Sequence, residues 1–187
     1  MTHANDSVRD LITRLDADTA HDTCEAVCDA VKATLIDAIT NHRLELPAEF
    51  VGTSDQDYAR RLLHSGERYA VVVMVWGAGQ GTPIHDHDDK WCVECVYQGR
   101  IRVESYDLIG GANDEIVSFR KEQEIPAGVG EAGSLIPPFD YHVIENPHDE
   151  TAVTIHVYGG EMQGCDVFQP VDGDRYQRVR KPLSYTA

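Results

Sequence analysis

Three histidines in this chain are spaced so that they could share one ion. The run Gly79-Gln-Gly-Thr-Pro-Ile-His85-Asp-His87 carries two, and Tyr141-His142-Val-Ile-Glu-Asn146 carries the third. In an extended strand, side chains two residues apart point the same way, so His85 and His87 would present both imidazoles to one face of a sheet. His142 could arrive from a neighbouring strand. Three neutral imidazoles meeting inside a β-barrel make a metal site with coordination positions left open. That is the layout of a catalytic rather than a structural metal. A bare His-x-His pair is common on protein surfaces, so the surroundings must carry the case.

A second pattern lies in Val153-Thr-Ile-His-Val-Tyr158. Val153, Ile155 and Val157 fall on one face, Thr154, His156 and Tyr158 on the other. A polar face on an apolar strand is costly if buried without partners. It either meets water or forms a hydrogen-bonded chain inside a barrel, and beside a histidine-rich motif the interior chain is the favoured reading. The five cysteines are Cys24, Cys28, Cys92, Cys95 and Cys165, an odd number that argues against a disulfide framework. Cys92 and Cys95 are three apart and would point to opposite faces of a strand, which weakens a zinc or redox reading. Cys24 and Cys28 sit at helical spacing on an apolar stripe and read as core.

Taken together, Tyr58-Ala-Arg60, Trp76-Gly77, His85-x-His87, Cys92, Gly99, His142-x-x-Glu-Asn146, His156-x-Tyr158 and Cys165 resemble, in order and near-spacing, the cysteine dioxygenases of the cupin superfamily. Cupins usually carry Glu at the Cys92 position; Cys there marks this branch. The resemblance implies a mononuclear non-haem iron(II) enzyme that oxidises a small thiol to its sulfinic acid with O2. It implies that His85, His87 and His142 hold Fe(2+) and that Arg60, near Tyr58, binds the substrate carboxylate. Tyr158 would stand beside the iron, with His156 orienting its hydroxyl and Thr154 behind it, where the family has Ser. Cys92 would be placed to form a thioether bond to Tyr158.

L-cysteine is the substrate this resemblance favours. The related 3-mercaptopropionate enzymes resemble Gln at the Arg60 position and take their arginine from near Cys165, where this chain has Gly164-Cys-Asp-Val-Phe168. Mercaptosuccinate would want a further cation. The alternatives from other classes are a non-catalytic metal-binding cupin and a zinc hydrolase using Glu94 or Asp86.

The elements that must position these residues change character along the chain. Val8, Leu11, Ile12 and Leu15, then Cys24, Val27, Cys28, Val31, Leu35, Ala38 and Ile39, recur at three- and four-residue steps and predict helices. Pro47 closes that region, and 55–63 reads as a further short helix capped by Ser54 or Asp55. From Tyr69 the chain turns β-branched, and strands are expected over 69–76, 91–97, 101–108, 116–120 and 153–158, separated by Gly- and Pro-rich turns. The expected fold is mainly β: a jelly-roll barrel of the cupin kind, with N-terminal helices packed outside. One domain over 1–187 is expected, with 1–65 mainly helical and 66–187 mainly β.

Composition bounds the partners. The chain has 32 acidic and 16 basic residues, a net charge of -16. That argues against nucleic acid and anionic membranes, which need a basic footprint. No apolar run approaches a membrane span. The first residues show neither the basic nor the apolar region of a secretory signal, so the expected compartment is the cytoplasm. The expected partners are a small thiol and O2, and a monomer is favoured.

Overall fold

The computed structural model describes residues 5–54 and 57–186. Two helices come first, α1 (Asp6–Asp18) and α2 (Cys24–Thr40). Asn5 caps α1 by accepting from the Val8 N–H at 2.9 Å, and Thr23 caps α2 by accepting from the Ala26 N–H at 3.2 Å. A 3-10 turn (Ala48–Phe50) leads into eleven strands: β1 (Ala59–Ser65), β2 (Ala70–Trp76), β3 (Ile84–His85), β4 (Cys92–Gln98), β5 (Arg100–Gly110), β6 (Ile116–Gly128), β7 (Ala132–Leu135), β8 (Tyr141–Glu145), β9 (Ala152–Tyr158), β10 (Gly164–Asp172) and β11 (Arg175–Pro182).

The strands form two layers. One is a five-stranded sheet in the order β1-β2-β9-β4-β7; the other runs β10-β11-β6-β5-β8-β3 and closes on itself, because the two-residue β3 pairs with both β8 and β10. Strands β2 and β9 are buried along their whole length. They need both faces apolar because each face has a cover. Val71, Val73, Val75, Val93, Cys95, Val153, Ile155 and Val157 pack against the helical stripe of Leu11, Leu15, Val31 and Leu35. Val72, Met74, Trp76, Cys92, Val96 and Tyr158 look the other way, into the barrel. Cys92 and Cys95 therefore do part to opposite faces, and Cys28 lies buried in α2.

Two expectations need correcting. The short helix expected over 55–63 is not there: Ala59–Ser65 is the edge strand β1, paired residue for residue with β2 from Ala59↔Val75 to Leu62↔Val72. Pairing along a fully apolar partner strand overrides a weak local helical preference. The boundary of the mainly helical part therefore falls before 59; Ser54 is irregular chain, and Asp55 lies outside the described residues. The second correction concerns β10 and β11, a hairpin for which no strand was expected. Its outward face is polar and Pro170 interrupts it, so it lacks the alternation that marked the inner strands.

Two small residues fix the layers to each other. Gly99 turns the chain from β4 to β5 at a φ of 74°, and a Cβ there would lie 2.8 Å from the Thr151 carbonyl oxygen. The buried Asn146 side chain donates to the carbonyls of Trp76 at 3.0 Å, Gly77 at 3.2 Å and Glu150 at 2.8 Å. It ties the end of β8 to the end of β2.

Candidate metal centre

The three histidines meet between the two layers. Their ring centroids lie 5.1 Å apart for His85 and His87, 4.6 Å for His85 and His142, and 4.8 Å for His87 and His142. His85 and His142 are cross-strand partners on β3 and β8, with Nε2 atoms 3.2 Å apart. The expected alternation within one strand is not how His87 joins them. The strand stops at His85, and the chain turns at Asp88 and Asp89, where φ is 54° and 58°. Asp140 then fixes His87, its Oδ2 accepting from the His87 backbone N–H at 3.1 Å and facing Nδ1 at 3.2 Å. A carboxylate on one ring nitrogen aims the other, and His87 Nε2 is buried without a hydrogen bond.

Two of these rings, His85 and His142, are held neutral. Burial first, then the neighbouring imidazoles, lowers the pKa of His85 to about 3 and that of His142 well below its ordinary value. A neutral imidazole with an unused nitrogen is what a divalent metal needs as a ligand. The donor set thus fits a metal, and His85, His87 and His142 are the residues that would hold it.

Behind them runs a buried polar chain across β2, β9 and β4. Trp76 Nε1 donates to Thr154 Oγ1 at 2.9 Å, and Thr154 Oγ1 lies 2.8 Å from His156 Nε2. The other His156 nitrogen, Nδ1, lies 4.0 Å from Cys92 Sγ and 3.6 Å from Glu94 Oε2. Glu94 Oε1 is 3.8 Å from His142 Nδ1, so this carboxyl stands between the two histidines. Burial raises its pKa to about 8. Cys92, Glu94 and His156 make a second cluster of potential ligands within 4.8 Å of one another, directly behind the first.

The polar face of β9 therefore lies inside the barrel, as the alternation suggested, but one expected bond is not formed. Tyr158 Oη lies 4.0 Å from Met74 Sδ, not against His156. The His156 and Tyr158 rings are stacked, 5.9 Å apart at 16°. Residues two apart on one strand rise side by side, and two rigid rings there stack before their tips meet. Cys92 and Tyr158 are direct cross-strand partners on β4 and β9, and the thiol and phenol are both pushed well above their ordinary pKa by burial.

Arg60 reaches the same place from β1. It is 5% exposed, yet neither Nη1 nor Nη2 makes a hydrogen bond among the described residues. With Tyr58, His85, Tyr158 and Cys165 it lines a small cavity against the histidines. Tyr58 stacks on Trp76 with centroids 4.6 Å apart, which ties the start of β1 to the buried chain.

The model of the family "Cysteine dioxygenase type I" matches residues 13–170. The chain belongs to the cysteine dioxygenase family. It is 26% identical over 152 residues to cysteine dioxygenase type 1 of Rattus norvegicus, and equally to that of Mus musculus, over 79% of this chain and 74% of each relative. Among solved structures it is similar to an RmlC-like cupin protein from Desulfovibrio desulfuricans, with 20% identity over 62% of this chain and 94% of that one and a TM-score of 0.46. A protein with a double-stranded β-helix domain from Klebsiella pneumoniae matches at 20% identity over 67% and 96%, with a TM-score of 0.48. The fold itself is mainly β, a closed six-stranded ring layered on a five-stranded sheet, with two N-terminal helices. Membership of the cysteine dioxygenase family implies a thiol dioxygenase with a metal cofactor. No helix among the described residues is long and apolar enough to cross a membrane.

Three residues of this centre were not foreseen in these roles. Asp140 carries no sequence signal, since its bond to His87 depends on a turn. Glu94 did carry one: a single carboxyl inside the buried run Cys-Val-Glu-Cys-Val is a group that burial drives toward its neutral form, out of place in a purely structural strand. The resemblance includes Trp76, but its bond to Thr154 joins strands far apart in sequence and has no local signal.

Proposed function

We propose that this family member oxidises the thiol of L-cysteine to cysteine sulfinic acid with O2, using Fe(2+) held by His85, His87 and His142. Iron there would supply the redox chemistry that joins O2 to sulfur and would favour the thiolate over the thiol. The observation that carries the reading is Arg60: a buried guanidinium with unused donors, in one cavity with His85 and Tyr158. An unpaired buried charge is costly, and the ligand best shaped to relieve it is a carboxylate, gripped by two N–H donors at once. A thiol on a short carboxylate would then be oriented with its sulfur toward the histidines. Tyr158 lines that cavity, and its hydroxyl has only sulfur beside it among the described residues, so it can turn toward bound substrate.

Arg60→Ala should raise the KM for cysteine and lower kcat/KM on the order of 30-fold or more, the effect of losing a buried charged hydrogen bond at about 2 kcal/mol or above. Cysteamine, which has no carboxylate, should be nearly unaffected. Oxygen uptake with both thiols measures this, and equal losses would make Arg60 a fold residue instead. Iron content of purified His142→Ala, expected near zero, tests the ligand assignment in the same series.

A second reading rests on Lys181, which lines the same cavity as Arg60. It offers the further cation that mercaptosuccinate would want. Adding mercaptosuccinate and 3-mercaptopropionate to the thiol panel separates the substrates. The hydrolase reading is weaker, because neither Glu94 nor Asp86 lines that cavity. A cytoplasmic location fits the five free thiols, and the monomer proposed with it is tested by size-exclusion chromatography.

A further inference from the structure

Arg60 has an unusual set of neighbours. The chain holds 32 acidic residues, yet none forms an ion pair with this guanidinium among the described residues. What holds it is the stretch 183–186, which follows β11 and lies along the outside of β1. The Arg60 backbone N–H donates to Thr186 Oγ1 at 3.0 Å, and the Thr186 N–H donates to the Arg60 carbonyl at 2.7 Å. The Arg60 Cζ sits 4.6 Å from the centroid of the Tyr185 ring. Leu183 donates to the Gln163 carbonyl at 3.0 Å, and both Leu183 and Tyr185 pack on the barrel core.

The choice of an aromatic ring matters chemically. A carboxylate beside Arg60 would fix it equally well but would consume its in-plane donors and cancel its charge. A ring face attracts the cation from above and leaves the N–H groups free in their plane. The ring therefore orients the guanidinium without competing with what it binds. The same stretch borders a larger outer vestibule, lined by Tyr58, Arg60, Lys181, Leu183 and Tyr185, which shares Tyr58, Arg60, Lys181 and Leu183 with the inner cavity.

Resting on Arg60 as a carboxylate anchor, we propose that Tyr185 is its positioning residue, and that its ring face sets how tightly carboxylated thiols are held. The test uses the iron-loaded protein with three substitutions, Tyr185→Leu, Tyr185→Phe and Tyr185→Met, and three probes: cysteine, cysteamine and propionate. Tyr185→Leu should raise the KM for cysteine about 2- to 30-fold, the span of one cation–π contact, with kcat unchanged. The KM for cysteamine should not move. Tyr185→Phe keeps the ring and should restore the cysteine KM. Tyr185→Met keeps bulk without a ring face and should behave as Leu does; it also serves if the Leu variant does not fold. Binding of propionate, read from its thermal stabilisation of each variant, should weaken in parallel.

An unchanged cysteine KM and propionate affinity in the Leu and Met variants would overturn the proposal. So would a Phe variant as impaired as Leu, or a loss shared equally by cysteamine. If the wild-type protein oxidises no thiol, the proposed activity falls, while the propionate series still decides the role of Tyr185.

Discussion

At the scale of residues, burial decides the charge of the metal-ligating end. His85 and His156 are both pushed down to about 3, chiefly by burial, and Glu94 up to about 8. At neutral pH the imidazoles are neutral and the carboxyl is largely protonated, so the interior presents donors and lone pairs rather than ions. Cys92 and Tyr158 add a second consequence. They face each other directly across β4 and β9, and in an iron-loaded enzyme turning over with O2 the sulfur should join the phenol ring with loss of two hydrogens to the oxidant. Intact mass after many turnovers should then fall by about 2 Da. Tyr158→Phe should abolish that loss and slow catalysis, whereas Cys92→Ser should abolish it and keep substantial activity. Peptide mapping checks this: uncrosslinked peptides in fully active protein would leave Cys92 as a packing residue. The spacing of His85 and His87 and the strand around His142 suggested a shared ion, and the resemblance to cysteine dioxygenases added the weight and singled out Arg60. Asp140 could not be picked out, because its bond to His87 is made by a turn between distant strands.

At the scale of elements, the chemistry and the scaffold occupy opposite faces of one sheet. Alternation along β2, β4 and β9 sends Val71, Val93 and Ile155 to the helices and Met74, Glu94 and His156 to the barrel. Stability and activity should therefore separate. Leu35 is fully buried in α2 against that outer face, and Leu35→Ala should cost about 2–5 kcal/mol of stability. The cysteine KM of the folded variant should stay at the wild-type value; urea titration and oxygen uptake measure the two. Both helices were readable from a period of 3.6, β9 from its alternation, and β2 from an unbroken β-branched, apolar run. Strand β1 was not, since an edge strand carrying Arg60 and Arg61 lacks such a pattern and is defined by its partner. The β10–β11 hairpin was missed for the same reason.

At the scale of the whole molecule, the buried titratable groups set how stability varies with pH. In the metal-free protein His85 and His156 titrate near 3 and His142 well below its ordinary value, against 6.5 when exposed. Below 6.5 the unfolded chain binds the extra protons, so stability falls as pH falls toward 3. Glu94 works in reverse: its folded pKa is about 8 against 4.5, so the folded chain holds the extra proton and stability falls as pH rises from 4.5 to 8. Three histidines outweigh one carboxyl below 6.5, and only the carboxyl acts above it. Metal-free stability should peak near pH 6.5, and thermal melts across pH 5 to 8.5 test it; a continued rise to pH 8 would mean that Glu94 is ionised in the folded state.

The two-residue strand β3 is what closes the six-stranded ring, and its His85 faces His142 across the join to β8. A short seam has few amide bonds to resist opening. An ion shared by those two imidazoles would act as a clasp on it, so metal binding and closure of the barrel become one event. Hydrogen exchange should register this: removing the metal should speed exchange at β3 and the facing amides of β8 and β10, while β2 and β9, in the middle of the other sheet, keep their slow rates.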